Sequence, residues 1–123
     1  MAVTFAKLHR RLIAFLGAEL DHPFGPEVAV YKLRGKVFAM LVQGEAAPRI
    51  TLKTDPVLAE VLRESYPAVR PGYHTNKRHW NTIHLEIPLD EPVLWNMMDA
   101  SYELVRAALP RAARAELEAV SAP

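Results

Sequence analysis

The feature that most limits the fold is a pair of apolar runs set almost back to back, Val28–Leu33 and Val37–Val42, with Arg34-Gly35-Lys36 between them. Runs of this length, rich in β-branched and aromatic residues, read as strands. Arg34-Gly35 suits a tight hairpin turn, in which glycine supplies a positive φ. Such a hairpin commits the chain to antiparallel pairing, because parallel neighbours need a crossover of about a dozen residues or more.

The remaining segments fall into place around that hairpin. Thr4 caps a first helix whose apolar positions are Phe5, Leu8, Leu12, Phe15 and Leu16, with Lys7, Arg10, Arg11 and Ala14 on the other side. Gly17 interrupts this pattern, and Ala18-Glu19-Leu20 is available to extend the helix. Asp21 to Pro26 holds two prolines and a glycine and is a loop. Ile50-Thr51-Leu52-Lys53 alternates as a short strand, with Ile50 and Leu52 on one face and Thr51 and Lys53 on the other. Asp55-Pro56 starts a second helix, carrying Leu58, Val61 and Leu62 and closed by Pro67. Trp80 to Ile87 reads as a strand with Ile83, Leu85 and Ile87 inward, and a further short strand fits around Ala68 to Arg70. Asp90-Glu91-Pro92 opens the longest helix, which Pro110 ends or kinks. Arg111 to Val120 is alanine-rich with one leucine, which points to a short helix in a loosely attached tail.

The expected order is therefore α-β-β-β-α-β-α. This is an α+β fold, a mainly antiparallel sheet with helices packed on one face. The expected core is Phe5, Leu8, Leu12, Val30, Phe38, Leu52, Leu62, Ile83, Leu85, Leu94, Met98 and Val105. A chain of 123 residues, 50% of them apolar, fits a single domain, with its core at about 5–110 and the tail at 111–123.

With no cysteine there is neither a disulfide framework nor a thiol site. The longest apolar run, Val37 to Val42, is too short to span a bilayer, and the start has no signal-peptide pattern. A cytoplasmic protein without a membrane role is expected. The formal charge is only +1, so any role on nucleic acid must rest on local charge.

One stretch is chemically unlike a core or an ordinary loop: Pro71-Gly72-Tyr73-His74-Thr75-Asn76-Lys77-Arg78-His79-Trp80-Asn81-Thr82-Ile83-His84. It holds three of the 5 histidines and one of the 2 tryptophans, and no carboxylate lies between Tyr66 and Leu85. Together with Pro23-Phe24-Gly25-Pro26, Val30 to Ala39, Thr51 to Pro56 and Tyr66 to Val69, it resembles the MmcQ/YjbR family. The likeness runs from about Phe5 to Pro110, with Thr75 standing where methionine is common in that family. It implies a frataxin-like (CyaY-like) α+β architecture with a double-wing arrangement, and the DNA-binding role proposed for the family.

For DNA, the residues themselves offer Arg70, Lys77 and Arg78 as phosphate contacts, with Lys32, Arg34 and Lys36 as a second set. Lys53 stands ready to join them, as do Arg10 and Arg11 on the first helix. Tyr73, His74, His79 and Trp80 offer stacking surface, and Asn76 and Asn81 hydrogen bonds. The plainer reading has Tyr73 and Trp80 packing a long loop while its polar groups satisfy backbone. His74, His79 and His84 recur every five residues, but a shared metal site would need the loop to fold back, with no carboxylate nearby. Ser65, Ser101 and Ser121 stand in no nucleophile setting, and no phosphate-binding glycine loop occurs. Neither an enzyme, a cofactor nor a metal is expected. The remaining alternative is a protein-interaction or small-ligand module using the same surface.

Overall fold

The computed structural model describes residues 3–72 and 75–121. Among these described residues six strands form one antiparallel sheet in the order β1-β2-β3-β4-β6-β5. They are β1 (Ala18–Asp21), β2 (Val28–Leu33), β3 (Lys36–Gln43), β4 (Pro48–Lys53), β5 (Val69–Pro71) and β6 (Trp80–His84). Among the described residues the helices are α1 (Phe5–Ile13), α2 (Pro56–Ser65), α3 (Glu91–Ala108) and α4 (Arg111–Ser121).

The β2–β3 hairpin forms as its sequence dictates, turning through Arg34 at φ 50 and Gly35 at φ 83. Positive φ at both turn residues matches the right-handed twist of the flanking strands. Register then separates the faces, since directly opposed residues share one. Ala29 faces Leu41, Tyr31 faces Ala39, Ala39 faces Leu52, Leu41 faces Ile50, and Ile50 faces Ile83. All are buried in a core shared with Leu8 and Leu12 of α1 and Leu94, Met98, Tyr102 and Val105 of α3. The helices cover this face.

The other face belongs to Val28, Val30, Met40, Val42, Arg49, Thr51, Lys53, Trp80, Thr82, His84 and Arg70, paired strand to strand. Val30 is buried, as the sequence suggested, but on this second face of the sheet. It is 1% exposed yet stands outside the helix-side cluster, packed among its neighbours on the open face. Phe5, Leu62 and Leu85 are half-buried against the core, and the other expected core positions lie inside it.

Three further corrections concern elements. Ala18-Glu19-Leu20 does not extend α1 but forms edge strand β1, paired through Leu20 with Tyr31. Gly17 makes the break: at φ 79 it turns the chain, and an added Cβ would lie 2.5 Å from a methyl of Leu117. The alanine-rich tail is not loose, because Leu117 of α4 is 4% exposed in the core and Glu116 pairs with Arg34 at 3.0 Å. The last strand stops at His84 rather than Ile87, although Leu85 and Ile87 still pack against the core.

A bulge shapes one end of the sheet. Tyr31 opposes Ala39 and Lys32 opposes Val37, so Phe38 has no partner on β2. Phe38 turns in with Ala39, its ring edge-on to Phe15 at 5.7 Å and to Tyr102 at 5.4 Å. On the other side of β3 the pairing with β4 stops at Ala39–Leu52. The next rung is supplied by α3: Ser101 Oγ donates to the Phe38 carbonyl at 2.5 Å and accepts from the Lys53 N–H at 2.8 Å. Ser101→Ala should strip both backbone groups of their partner and cost roughly 2–4 kcal/mol. Urea unfolding should show a lower midpoint at unchanged slope. A loss below about 0.5 kcal/mol, ordinary for a surface change, would mean that the strands close the rung themselves.

Candidate nucleic-acid interface

The unusual stretch connects edge strand β5 to β6 at the end of the sheet that also bears the hairpin tip and the β4–α2 junction. Backbone hydrogen bonds hold the described part of the loop. Gly72 N–H donates to the Trp80 carbonyl at 2.9 Å, and Thr54 N–H donates to the His79 carbonyl at 2.7 Å. Gly72 is required sterically, because a Cβ there would sit 2.8 Å from Trp80 Cβ. Asn76 Oδ1 accepts from Arg78 N–H at 3.0 Å, and Lys77 Nζ donates to the Gly72 carbonyl at 3.2 Å. Tyr73 and His74 lie outside the described residues.

Asn81 is a structural residue, not a surface reader. It opposes Leu52 on the helix side and is 2% exposed. Its Oδ1 accepts from Arg63 Nε at 2.7 Å, and its amide donates to the Ala59 carbonyl at 3.3 Å. Arg63 in turn donates to the carbonyls of Lys77 and Trp80, so α2 braces the loop through one guanidinium.

The cations divide sharply. Lys32 pairs with Asp21 at 2.9 Å and Arg34 with Glu116 at 3.0 Å, so two of the three hairpin cations are locally neutralised. On α1, Arg11 lies over the Trp95 ring at 4.5 Å and within 3.6 Å of Asp99. Among the described residues, no carboxylate pairs with Lys36, Lys53, Arg70, Lys77 or Arg78. Lys53 is directly opposite Trp80, and Arg70 is opposite Thr82 two residues further along β6. Lys36 lies with Lys53 and Trp80 around one crevice, while Asn76, Lys77 and Arg78 line a second hollow with Pro56, Val57, Glu60 and Arg63 of α2.

Arg49 is the residue the sequence hid. It opposes His84 on the open face, one position before the strand was expected to begin. Extending the alternation of Thr51 and Lys53 back by one step would have found it. Burial pushes the His84 imidazole below its ordinary 6.5, with Arg70 and Arg49 acting the same way and Glu86, 3.5 Å from Nδ1, opposing them. Thr51 and Thr82 hydroxyls meet at 2.8 Å in the middle of this face. Among the described residues no three histidine or acidic side chains are grouped so as to hold a metal, and no helix is long and apolar enough to cross a membrane.

Replacing Asn81 by Ala should lower stability by about 1–3 kcal/mol, because it leaves the Arg63 and Ala59 groups short of a partner. Thermal melts read this directly. An unchanged melting temperature would return Asn81 to the candidate surface.

The comparisons with known proteins agree with this architecture. Escherichia coli K12 YjbR, itself uncharacterised, is 35% identical over 112 residues, which cover 91% of this chain and 95% of its own. YbdF of Escherichia coli O157:H7 is 38% identical over 87 residues, 71% of each chain. A crystal structure of a Deinococcus radiodurans protein with a DUF419 domain superposes with a TM-score of 0.87 at 30% identity, covering 94% of this chain and 88% of that one. A Pseudomonas syringae protein superposes at 0.73 with 26% identity, over 84% of this chain and 99% of its own. The family model described as YjbR matches residues 13–104, and with these relatives it shows that the chain belongs to the MmcQ/YjbR family.

Proposed function

We propose that this protein is a cytoplasmic DNA-binding protein, not an enzyme, and that it contacts phosphates through Lys36, Lys53, Arg70, Lys77 and Arg78 around Trp80. The observation that carries this reading is the sorting of charge. In a chain of net charge +1, Lys7, Arg11, Lys32, Arg34 and Arg106 are answered by carboxylates, while among the described residues these five are not. Uncompensated cations on one surface create a local positive potential that a near-neutral protein otherwise lacks. The hairpin tip and the 72–79 loop would serve as two wings on either side of the contact. Asn76 is exposed beside them, and His79 is half-buried at the root of the loop.

Arg34 and Lys32 contribute less in this reading than their position in the sequence suggests, since Glu116 and Asp21 screen them. Binding of this kind is dominated by backbone charge and is weak, with dissociation constants of about 1–100 µM for non-specific contacts.

A second reading has one observation in its favour. Between α2 and α3 lies an apolar cleft of about 340 Å³ lined by Leu58, Leu62, Tyr66, Val93 and Met97, with Val57 and Val61 exposed along the α2 flank. A protein-interaction or small-ligand module would use that cleft rather than the cations.

The two readings part on one experiment. With Lys77 and Arg78 both changed to Ala, affinity for unrelated duplex sequences should fall alike. The plot of log affinity against log salt should flatten by about 2. Melting curves of the variant check that losing the Lys77 bond to Gly72 has not loosened the loop. Wild-type protein that fails to bind at about 100 µM in low salt, or binding indifferent to the pair, would hand the function to the α2–α3 cleft.

A further inference from the structure

We infer that the crevice between β3 and β4 holds one unstacked nucleotide of single-stranded DNA, its base against Trp80 and its phosphate between Lys36 and Lys53. This rests on the DNA-binding reading above and narrows it to a strand form and a pocket.

The crevice exists because the sheet is parted there. Pairing of β3 with β4 ends at Ala39–Leu52, Ser101 fills the following rung, and beyond it the two strands are no longer bonded to each other. The opening measures about 440 Å³ and is lined by Lys36, Val37, Lys53, Trp80, Val105 and Ala108. That is within the range of small-ligand pockets, which run from about 300 to 1,000 Å³. Its chemistry is mixed in a particular way. Two lysines and a tryptophan line it, Val105 and Ala108 of α3 close the helix side, and no carboxylate is among the lining residues.

A purely apolar ligand would leave two unpaired lysines beside it, and a bare anion would leave the indole unused. A flat ring carrying a phosphate satisfies both. The C-terminal turn of α3 lies at the floor, where helix carbonyls disfavour negative charge, so the ring belongs inward and the phosphate at the lysine rim. Bases in a duplex are stacked between neighbours and cannot offer a ring face, whereas a single strand can. Lys77 and Arg78, which precede Trp80 along the chain, and Arg70 on the adjoining strand would then contact the flanking phosphates.

The experiment uses intrinsic fluorescence. Changing Trp95 to Phe leaves Trp80 as the single tryptophan. This protein is titrated with a thymidine oligonucleotide, with the same oligonucleotide annealed to its complement, and with free thymidine monophosphate. The single strand should quench Trp80 saturably and bind about tenfold more tightly than the duplex, as one base stacked on an aromatic side chain predicts. Lys36→Glu, an exposed change that leaves the indole in place, should abolish that preference, as should Trp80→Leu if its melting curve shows it folded. Equal affinity for single strand and duplex with no quenching would overturn the pocket while leaving the DNA-binding reading intact. Absence of binding to either form would remove both. Quenching by the monophosphate as strong as by the oligonucleotide would overturn the assignment to a strand, making this a free-nucleotide site.

Discussion

One hydroxyl holds the seam of this sheet at the end where the chain becomes chemically unusual. Ser101 reaches from α3 into the β3–β4 ladder and bridges the Phe38 carbonyl and the Lys53 N–H, which would otherwise bond each other. Three consequences follow from that substitution of a side chain for a rung. The helix is fixed in height against the sheet, so Tyr102 stacks on Phe15 at 4.6 Å and donates to the Leu16 carbonyl at 2.6 Å, tying the turn after α1 to α3. The strands are released beyond Lys53 without leaving a buried polar group unpaired, which would be costly. And the next turns of α3 bring Val105 and Ala108 beneath the gap. Fold and crevice are thus products of the same contact.

Much of this architecture is legible in the residues because local chemistry and tertiary position agree. Asp55 before Pro56 caps α2 by accepting from Val57 and Leu58, and the Arg34-Gly35 turn sets the hairpin register. Legibility fails where position depends on something remote. Val30 sits on the open face although it is as apolar as its core neighbours Ala29 and Tyr31. Only the sheet's other half reveals which phase of the strand faces the helices. Edge strand β1 has a neighbour on one side alone and is mostly exposed, so its residues carry no alternating pattern to mark it. Leu117 is one leucine in an alanine-rich helix, and only the cleft left by Gly17 and Leu33 explains why it is buried. Asn81 looked like a surface residue because its neighbours do; its partner Arg63 lies 18 positions away.

Charge shows the same limit more strongly. Lys7 pairs with Glu91, Arg11 with Asp99 and Arg34 with Glu116, all contacts between distant parts of the chain. Such exposed pairs contribute little stability, typically 0–1 kcal/mol each (roughly). Their effect is on the field. They answer Lys7, Arg11 and Arg34, while Lys36 and Lys53, which line the crevice with Trp80, have no carboxylate partner among the described residues. The sequence placed Lys32, Arg34 and Lys36 together as one basic tip, whereas the folded chain keeps only Lys36 without a carboxylate partner and adds Lys53 from β4.

The arrangement also separates what can vary from what cannot. The floor of the crevice, Val105, is a core residue packed with Phe38 and Tyr102 in one cluster, so altering its volume would disturb the whole helix–sheet interface. The rim is different. Lys36, Lys77 and Arg78 are exposed, hold no carboxylate and stand on the hairpin tip and the loop. A substitution at exposed Lys36 costs little folding energy, whereas Lys77 also ties the loop through its bond to the Gly72 carbonyl. Under the proposed DNA-binding role, preference would be set by rim charge, while the serine that opens the sheet and the valine beneath it remain fixed by packing.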